Sequence, residues 1–177
     1  MSCTEIEMLS GRRFDFKNPL TEQINLGDIE IGLSHCARFS GQTVKVYSVA
    51  QHSVLCSRVA PEGLEMQALM HDAHEAYTGD IPTPLKAMLP DYRLIERKAE
   101  IAVRRAFRLP DDFDPRIKEI DRRMCRTEAL HFGFEWANWP EVVAWGEPYE
   151  GLDLDPWSSL FSGTRFVMQY KKLIREG

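Results

Sequence analysis

The sequence predicts an all-α fold, and three observations carry that expectation. Apolar residues recur at helical spacing, most clearly Leu94, Ile95, Ala99, Ile101, Ala102 and Phe107, which form one broad stripe. Helix-start chemistry stands where such stripes begin: Ser48 precedes one, and the pair Asp114-Pro115 precedes another. Few segments alternate with the period of two that a half-buried strand requires.

Taken in order, the opening stretch with Gly11, Asn18 and Pro19 reads as an irregular arm on a single domain spanning residues 1–177. Leu26 to Arg38 carries Ile29, Leu33 and Cys36 at roughly helical spacing, and Ser40-Gly41-Gln42 breaks it. Ser48 caps a helix running to about Val59, and Gln51, three residues on, makes a capping box. Pro61 and Gly63 end that helix. Leu64 to Tyr77 reads as one continuous helix with Leu64, Ala68 and Leu69 turned inward, stopped by Thr78-Gly79-Asp80 and by Pro82 and Pro84. Tyr92 to Phe107 is the long helix of the first stripe. Asp114-Pro115 starts another, with Ile117, Ile120 and Met124 on its inner side, reaching about His131. Phe132 to Leu160 holds Trp136, Trp139, Trp145 and Trp157 and has no predicted regular structure. A last helix is expected over Arg165 to Glu176.

Composition narrows the function. The chain has 177 residues, 44% hydrophobic and 28% charged, which fits one soluble globular domain. Its formal net charge of -5 speaks against a duplex nucleic-acid binder, which normally presents a basic surface. A small anionic substrate needs only a local cationic pocket. No apolar run is long enough to span a membrane. The N-terminus lacks the basic and apolar regions of a secretory leader, so a cytoplasmic protein is expected. Cys3, Cys36, Cys56 and Cys125 form no C-x-x-C pair and read as free thiols.

The chemistry concentrates in three words: SVAQHS with His52, ALMHDAHEAYTGDIPTPLK with His71 and Asp72, and IKEIDRRM with Asp121. Each of these four residues lies in a helix that otherwise reads as core-facing. A carboxylate facing a core is costly unless it is paired or binds a cation. Two imidazoles and two carboxylates make a mixed nitrogen and oxygen set that suits zinc, cobalt, manganese or magnesium and leaves positions for water and phosphate. Glu75 is four residues after His71 and three after Asp72, so it shares their face and is placed to accept a proton from water beside a metal. Asp80 lies in the turn beyond, stiffened by Pro82 and Pro84, where it can orient the attacking water or the leaving oxygen. Spacing alone leaves these histidines equally readable as hydrogen-bonded core residues.

The order H…HD…D, with the string HD-x-x-E-x-x-x-G-D-[IL]-P-T-P-x-K at its centre, resembles the HD-domain phosphohydrolase superfamily. Within it, the 5'-deoxynucleotidases and the related phage-type deoxyadenosine triphosphate triphosphohydrolases are the similar branch. The likeness runs from about Gly11 to Leu130. It implies an HD-domain helical bundle and a divalent metal on His52, His71, Asp72 and Asp121. It also implies an acid/base role for Glu75 and a sugar- and phosphate-lining segment of Asp80, Ile81, Pro82 and Thr83, too crowded for a 2'-hydroxyl. Arg38-Phe39 stands where the nucleotidases carry an Arg-Trp pair, which implies a phosphate clamp at Arg38 and a base- or sugar-facing ring at Phe39. Lys86 and Lys118 match lysines that reach the outer phosphates in the triphosphohydrolases. Gly11 to Asp15 is similar to an arm that borders the base pocket in relatives. A homo-oligomer is implied too, with the tryptophan-rich segment as a source of contacts.

The expected activity is therefore metal-dependent hydrolysis of a deoxynucleotide, either a monophosphate ester or a triphosphate, with the two lysines and the short chain favouring the triphosphate. Two other classes stay in view. One is a non-catalytic HD module that binds nucleotide. The other is a di-iron HD oxygenase, in which His74 would help to hold a second metal. His35 and His131 read as structural.

Overall fold

The computed structural model describes residues 4–176. It is predominantly helical, as the apolar periodicity predicts. The opening arm differs from the expectation. It is a hairpin of two short antiparallel strands, β1 (Glu5–Glu7) and β2 (Arg13–Asp15), paired in the register Ile6 to Phe14. Phe14 explains why the arm is ordered. Its ring is fully buried, stacked on Tyr77 at 4.4 Å and set edge-on to Phe16 at 5.2 Å. Ser10 reinforces the docking through its N–H and hydroxyl, both donated to the Asp28 carboxylate at 3.0 and 2.6 Å.

Helix α1 (Leu26–His35) starts at Asn25, whose side chain accepts from the Asp28 N–H, and stops at Cys36, before the predicted end at Arg38. Helix α2 (Val49–Val59) begins as predicted, with the Ser48 hydroxyl accepting from the Gln51 N–H at 3.2 Å. The other half of the capping box is absent. The Gln51 side chain instead donates to the Asp155 carbonyl and accepts from the Trp157 N–H, both at 2.9 Å. Those backbone groups lie on an irregular loop that has no ladder to satisfy them, so a buried amide serves them. Residues 49–57 of α2 are all buried, and α1, α3 (Glu65–Met70), α7 (Pro115–His131) and α9 (Ser159–Glu176) pack around them.

The predicted continuous helix from Leu64 to Tyr77 is broken. α3 ends at Met70, and α4 covers only Glu75–Thr78. Residues 71–74 form turns held by tighter bonds, Ala73 N–H to the Met70 carbonyl and Glu75 N–H to the Asp72 carbonyl. The His71 side chain takes part: its Nδ1 lies 2.7 Å from the Ala68 carbonyl, an acceptor that a continuous helix would use internally. Gly79, at φ 77°, ends α4 in a backbone region that favours glycine. A short α5 (Thr83–Lys86) leads to α6 (Pro90–Ala106), the long amphipathic helix. α7 starts where Asp114-Pro115 predicts, with the Asp114 carboxylate accepting from the Arg116 N–H.

Within the tryptophan-rich stretch are a 3-10 turn at Glu135–Asn138 and a one-turn α8 (Pro140–Val143). α9 begins six residues before the predicted Arg165, with Leu160 and Phe161 exposed on its first turn. Cys36, Cys56 and Cys125 are free thiols, and Cys3 lies outside the described residues. Among the described residues no helix is long and apolar enough to cross a membrane.

Candidate metal centre and active site

Three separate helical segments bring the predicted ligands together. α2 supplies His52, the turn after α3 supplies His71 and Asp72, and α7 supplies Asp121. One donor atom from each lies within 4.8 Å of all the others. His52 Nε2 is 3.2 Å from Asp121 Oδ1 and 3.7 Å from Asp72 Oδ2. His71 Nε2 is 3.0 Å from Asp72 Oδ2 and 3.8 Å from Asp121 Oδ1. Juxtaposition of this kind cannot be read from chain order, because Asp121 is 69 positions from His52 in sequence.

The hydrogen bonds on the far side of each ring set its orientation. His52 Nδ1 lies 2.7 Å from Glu128 Oε1, and His71 Nδ1 lies 2.7 Å from the Ala68 carbonyl. Both partners are acceptors, so both Nδ1 atoms carry protons and both Nε2 atoms turn to the carboxylates. Ligating histidines are ordinarily held this way, by a carboxylate or carbonyl behind the ring. Despite the 3.0 Å approach, the buried His71 Nε2 has no hydrogen bond in acceptable geometry. An orphaned ring nitrogen aimed at two carboxylates fits a divalent cation among the four residues.

Electrostatics point the same way. Burial resists charging of His71, yet Asp72 and Asp121 outweigh it and push its pKa well above the usual imidazole value. Asp72 and Asp121 are held below the normal carboxylate range: burial opposes this, and the two histidines overcome it. The cluster demands positive charge, and without a metal the imidazoles would supply it as protons. The His52 ring is sealed and that of His71 nearly so, whereas the side chains of Asp72 and Asp121 keep 16% and 35% exposure. The open side of the cluster therefore lies at the carboxylates.

That side faces a cleft of about 450 Å³ whose walls include His71, Asp72, Glu75, Lys86, Lys118 and Asp121. Glu75 is buried, and its Oε2 has no hydrogen-bond partner. Burial, then the Asp72 and Asp80 carboxylates, drive its pKa well above the usual range. A cation at Asp72 acts in the opposite direction and eases the proton off. Asp80 is half-buried, with its carboxyl raised by burial, and its N–H reaches Cys36 Sγ at 3.3 Å.

The other predicted residues are distributed as follows. Arg38 is buried behind Asp72, with NH1 3.8 Å from Asp72 Oδ2 and Nε donating to Glu128 Oε2 at 3.1 Å. Phe39 stands outside the cleft lining. Its ring packs on Phe134 at 5.1 Å, Phe132 at 5.9 Å and Trp136 at 6.3 Å. The backbone at Phe39 and Ser40 is left-handed, with φ of 54° and 53°. The Arg38 N–H bond to the Tyr47 carbonyl at 2.9 Å pins that turn. Ile81, Pro82 and Thr83 also stand outside the lining, with Pro82 and Thr83 exposed. Lys86 Nζ is held by Glu96 Oε1 at 2.5 Å, while Lys118 is exposed and has no ion-pair partner among the described residues. His74 turns to Glu96 at 3.6 Å and lies outside the four-residue cluster. His35 borders a separate cleft with Lys45 and Trp157, and His131 faces Asp155 at 3.6 Å. None of the described hairpin residues lines the cleft at the metal cluster.

Sequence reasoning missed Glu128. It is fully buried, and it joins Arg38, His52 and Tyr47, whose hydroxyl donates to Oε1 at 2.9 Å. Burial pushes its carboxyl up, and Arg38 and His52 more than offset this, so it stays ionised. A signal was present: Glu128 is two turns past Asp121, on the inward side with Met124.

The profile of a family described as 5'-deoxynucleotidase YfbR-like matches residues 37–130, which contain all four clustered residues, Glu75 and Glu128. The chain is 40% identical to the uncharacterized protein YfdR of Escherichia coli over 154 residues, covering 85% of this chain and 86% of the relative. It is 41% identical over 156 residues to an uncharacterized protein of Rhodobacter capsulatus, covering 80% of each. A shorter match, 38% over 61 residues and 31% of each chain, is to a Vibrio cholerae protein named 5'-deoxynucleotidase. With its His and Asp cluster inside a family match that spans more than half of its length, the chain belongs to the YfbR-like 5'-deoxynucleotidase family of HD-domain proteins.

Proposed function

We propose that the protein is a metal-dependent hydrolase of deoxynucleoside 5'-monophosphates. The observation that carries this reading is the buried His71 Nε2, orphaned among Asp72, Asp121 and His52 at the floor of an open cleft, with a raised carboxyl at Glu75 beside it. The family description and the name of the Vibrio cholerae relative support the substrate class.

His52, His71, Asp72 and Asp121 would hold the metal. Bound there, it supplies Lewis acidity toward a phosphate oxygen and lowers the pKa of water. The protein's own groups do the rest. Glu75 takes the proton of the attacking water: burial and the Asp72 and Asp80 carboxylates raise its affinity for that proton, and a cation at Asp72 leaves it free to accept. Arg38, buried behind the cleft-lining Asp72 with NH1 3.8 Å from its Oδ2, balances the phosphate charge from there. As the bond from phosphorus to the sugar oxygen breaks, that oxygen needs a proton, and Asp80 is the second carboxyl with a raised pKa close by. The products are a deoxynucleoside and inorganic phosphate.

A triphosphate reading draws on Lys118, a cation without an ion-pair partner at the cleft. It is weakened at Lys86, whose charge Glu96 already holds. The test is phosphate release with manganese or cobalt from deoxy- and ribonucleoside mono- and triphosphates, with Asp72→Ala as control. Nucleoside from a deoxy monophosphate is the expected result. Turnover of triphosphates alone selects the second reading. Absence of any metal- and Asp72-dependent turnover overturns the hydrolase reading and leaves a nucleotide-binding module. Bound iron with oxygen consumption identifies the di-iron class.

A further inference from the structure

Glu128 touches both halves of the site. From α7 it sends Oε1 to the Nδ1 of His52 at 2.7 Å and Oε2 to the Nε of Arg38 at 3.1 Å. The Tyr47 hydroxyl completes Oε1 at 2.9 Å. The carboxylate is fully buried. Packing alone would be better served by an apolar side chain of similar size, because a buried charge is costly unless every partner is in place. Here the two oxygens face two different site residues, and each contact fixes a direction. Accepting from His52 Nδ1 commits Nε2 to the side where Asp72 and Asp121 lie. Accepting from Arg38 Nε fixes the plane of the guanidinium and leaves its NH1 end 3.8 Å from Oδ2 of Asp72, a residue of the cleft wall. Because α7 also carries Asp121, the helix that supplies a carboxylate to the cluster also supplies the group that aims an imidazole at it.

We propose that Glu128 is a positioning residue that orients the metal-facing imidazole of His52 and the phosphate-facing guanidinium of Arg38 with one carboxylate, so that metal affinity and phosphate affinity fall together when it is changed. The proposal rests on the metal-dependent phosphohydrolase reading. A Glu128→Gln side chain keeps the volume but brings an NH2 group, which must meet either the His52 Nδ1–H or the Arg38 Nε–H, a donor against a donor.

The test titrates the full chain with Mn2+, and then titrates the Mn2+-saturated protein with inorganic phosphate, for wild type and Glu128→Gln. Circular dichroism confirms that the variant is folded. The expected result is a roughly 10–100-fold loss of Mn2+ affinity, together with weaker phosphate binding at saturating metal. A purely structural Glu128 would lower the melting temperature and leave both affinities of the folded protein unchanged, which overturns the proposal. A fall in one affinity without the other overturns the shared role. Wild-type protein that binds no Mn2+ overturns the metal reading together with the proposal. Wild type and variant that bind Mn2+ equally overturn only the role of Glu128. Should the variant not fold, NMR of zinc-loaded wild type decides. A slowly exchanging proton on His52 Nδ1 is expected, and a His52 protonated at Nε2 overturns the proposal.

Discussion

Gly32 to Ala is a substitution for which helix propensity and packing give opposite answers. Gly32 lies inside α1, where alanine is intrinsically better by about 0.8–1.0 kcal/mol. Its face, however, meets α4. A Cβ at Gly32 would sit 2.7 Å from the Ala76 Cβ and 2.8 Å from both the Ala76 Cα and carbonyl oxygen. Carbon contacts are comfortable at about 3.5–4.0 Å, so α4 must retreat by about 1 Å. No flexible chain end is present to yield, since two of the three obstructing atoms are backbone. Overpacking of this kind costs about 1–3 kcal/mol, and the upper half of that range applies here. After the propensity gain, a net loss of about 1–2 kcal/mol is expected. For a chain of this size that lowers the melting temperature by about 2–8 °C. Because α4 begins at Glu75, the same retreat moves the proposed proton acceptor. A misplacement of about 1 Å can cost up to roughly 10²-fold in rate, so kcat should fall while substrate binding changes less. Urea unfolding and steady-state kinetics measure the two effects. Gly163→Ala is the control: the nearest atom to its added Cβ is the Glu30 Cγ at 3.1 Å, on a side chain that can move. A Gly32→Ala protein that is more stable than wild type, with unchanged kcat, would show that α4 accommodates the added methyl without moving Glu75.

The N-terminal hairpin should be part of the fold rather than an appendage. Phe14→Ala removes a fully buried ring stacked on Tyr77 and should cost about 3–5 kcal/mol, read from the urea midpoint; a loss under about 1 kcal/mol contradicts the docking. A divalent metal at about 100 times its dissociation constant should stabilise the fold by about 2.7 kcal/mol, seen as a raised melting temperature that Asp72→Ala and Asp121→Ala abolish. The Asp114 carboxyl is lowered to about 2, chiefly by the Arg116 side chain and then the Arg116 N–H. A depressed carboxylate contributes stability above its unfolded pKa and loses it as pH falls through the folded one. The stability advantage of wild type over Asp114→Asn should therefore be full at pH 7 and vanish between about pH 4 and pH 2, as followed by urea unfolding at each pH. An advantage independent of pH in that window contradicts the assigned ion pair.

Much of the fold was legible because local chemistry decides it. Ser48 and Asp114-Pro115 mark helix starts through hydrogen bonds to residues two or three positions on, and those starts are where the sequence places them. The four clustered residues, His52, His71, Asp72 and Asp121, were legible as costly polar groups on core-facing helices. What escaped depends on partners distant in sequence. The hairpin is held by the meeting of Phe14 with Tyr77, 63 positions away, and has too few residues for alternation to be visible. The helix through HDAH reads as continuous because its propensity is, yet His71 takes the Ala68 carbonyl and tight turns replace it. Gln51 is a good capping residue until the 155–157 loop arrives with two unsatisfied backbone groups. Spacing marks Glu128 as inward-facing but does not reveal its role, because its partners Arg38, Tyr47 and His52 all lie at least 76 positions away.

In the proposed mechanism, His52, His71, Asp72 and Asp121 hold one metal on which phosphate release depends. Stepwise titration of metal-free protein with Co2+, with hydrolysis of a deoxynucleoside monophosphate measured at each step, tests it most directly. Activity should rise in proportion to bound cobalt and stop rising at one ion per chain, with none in Asp121→Ala. Full activity before any metal is added, or activity that keeps its wild-type course in Asp121→Ala, contradicts it.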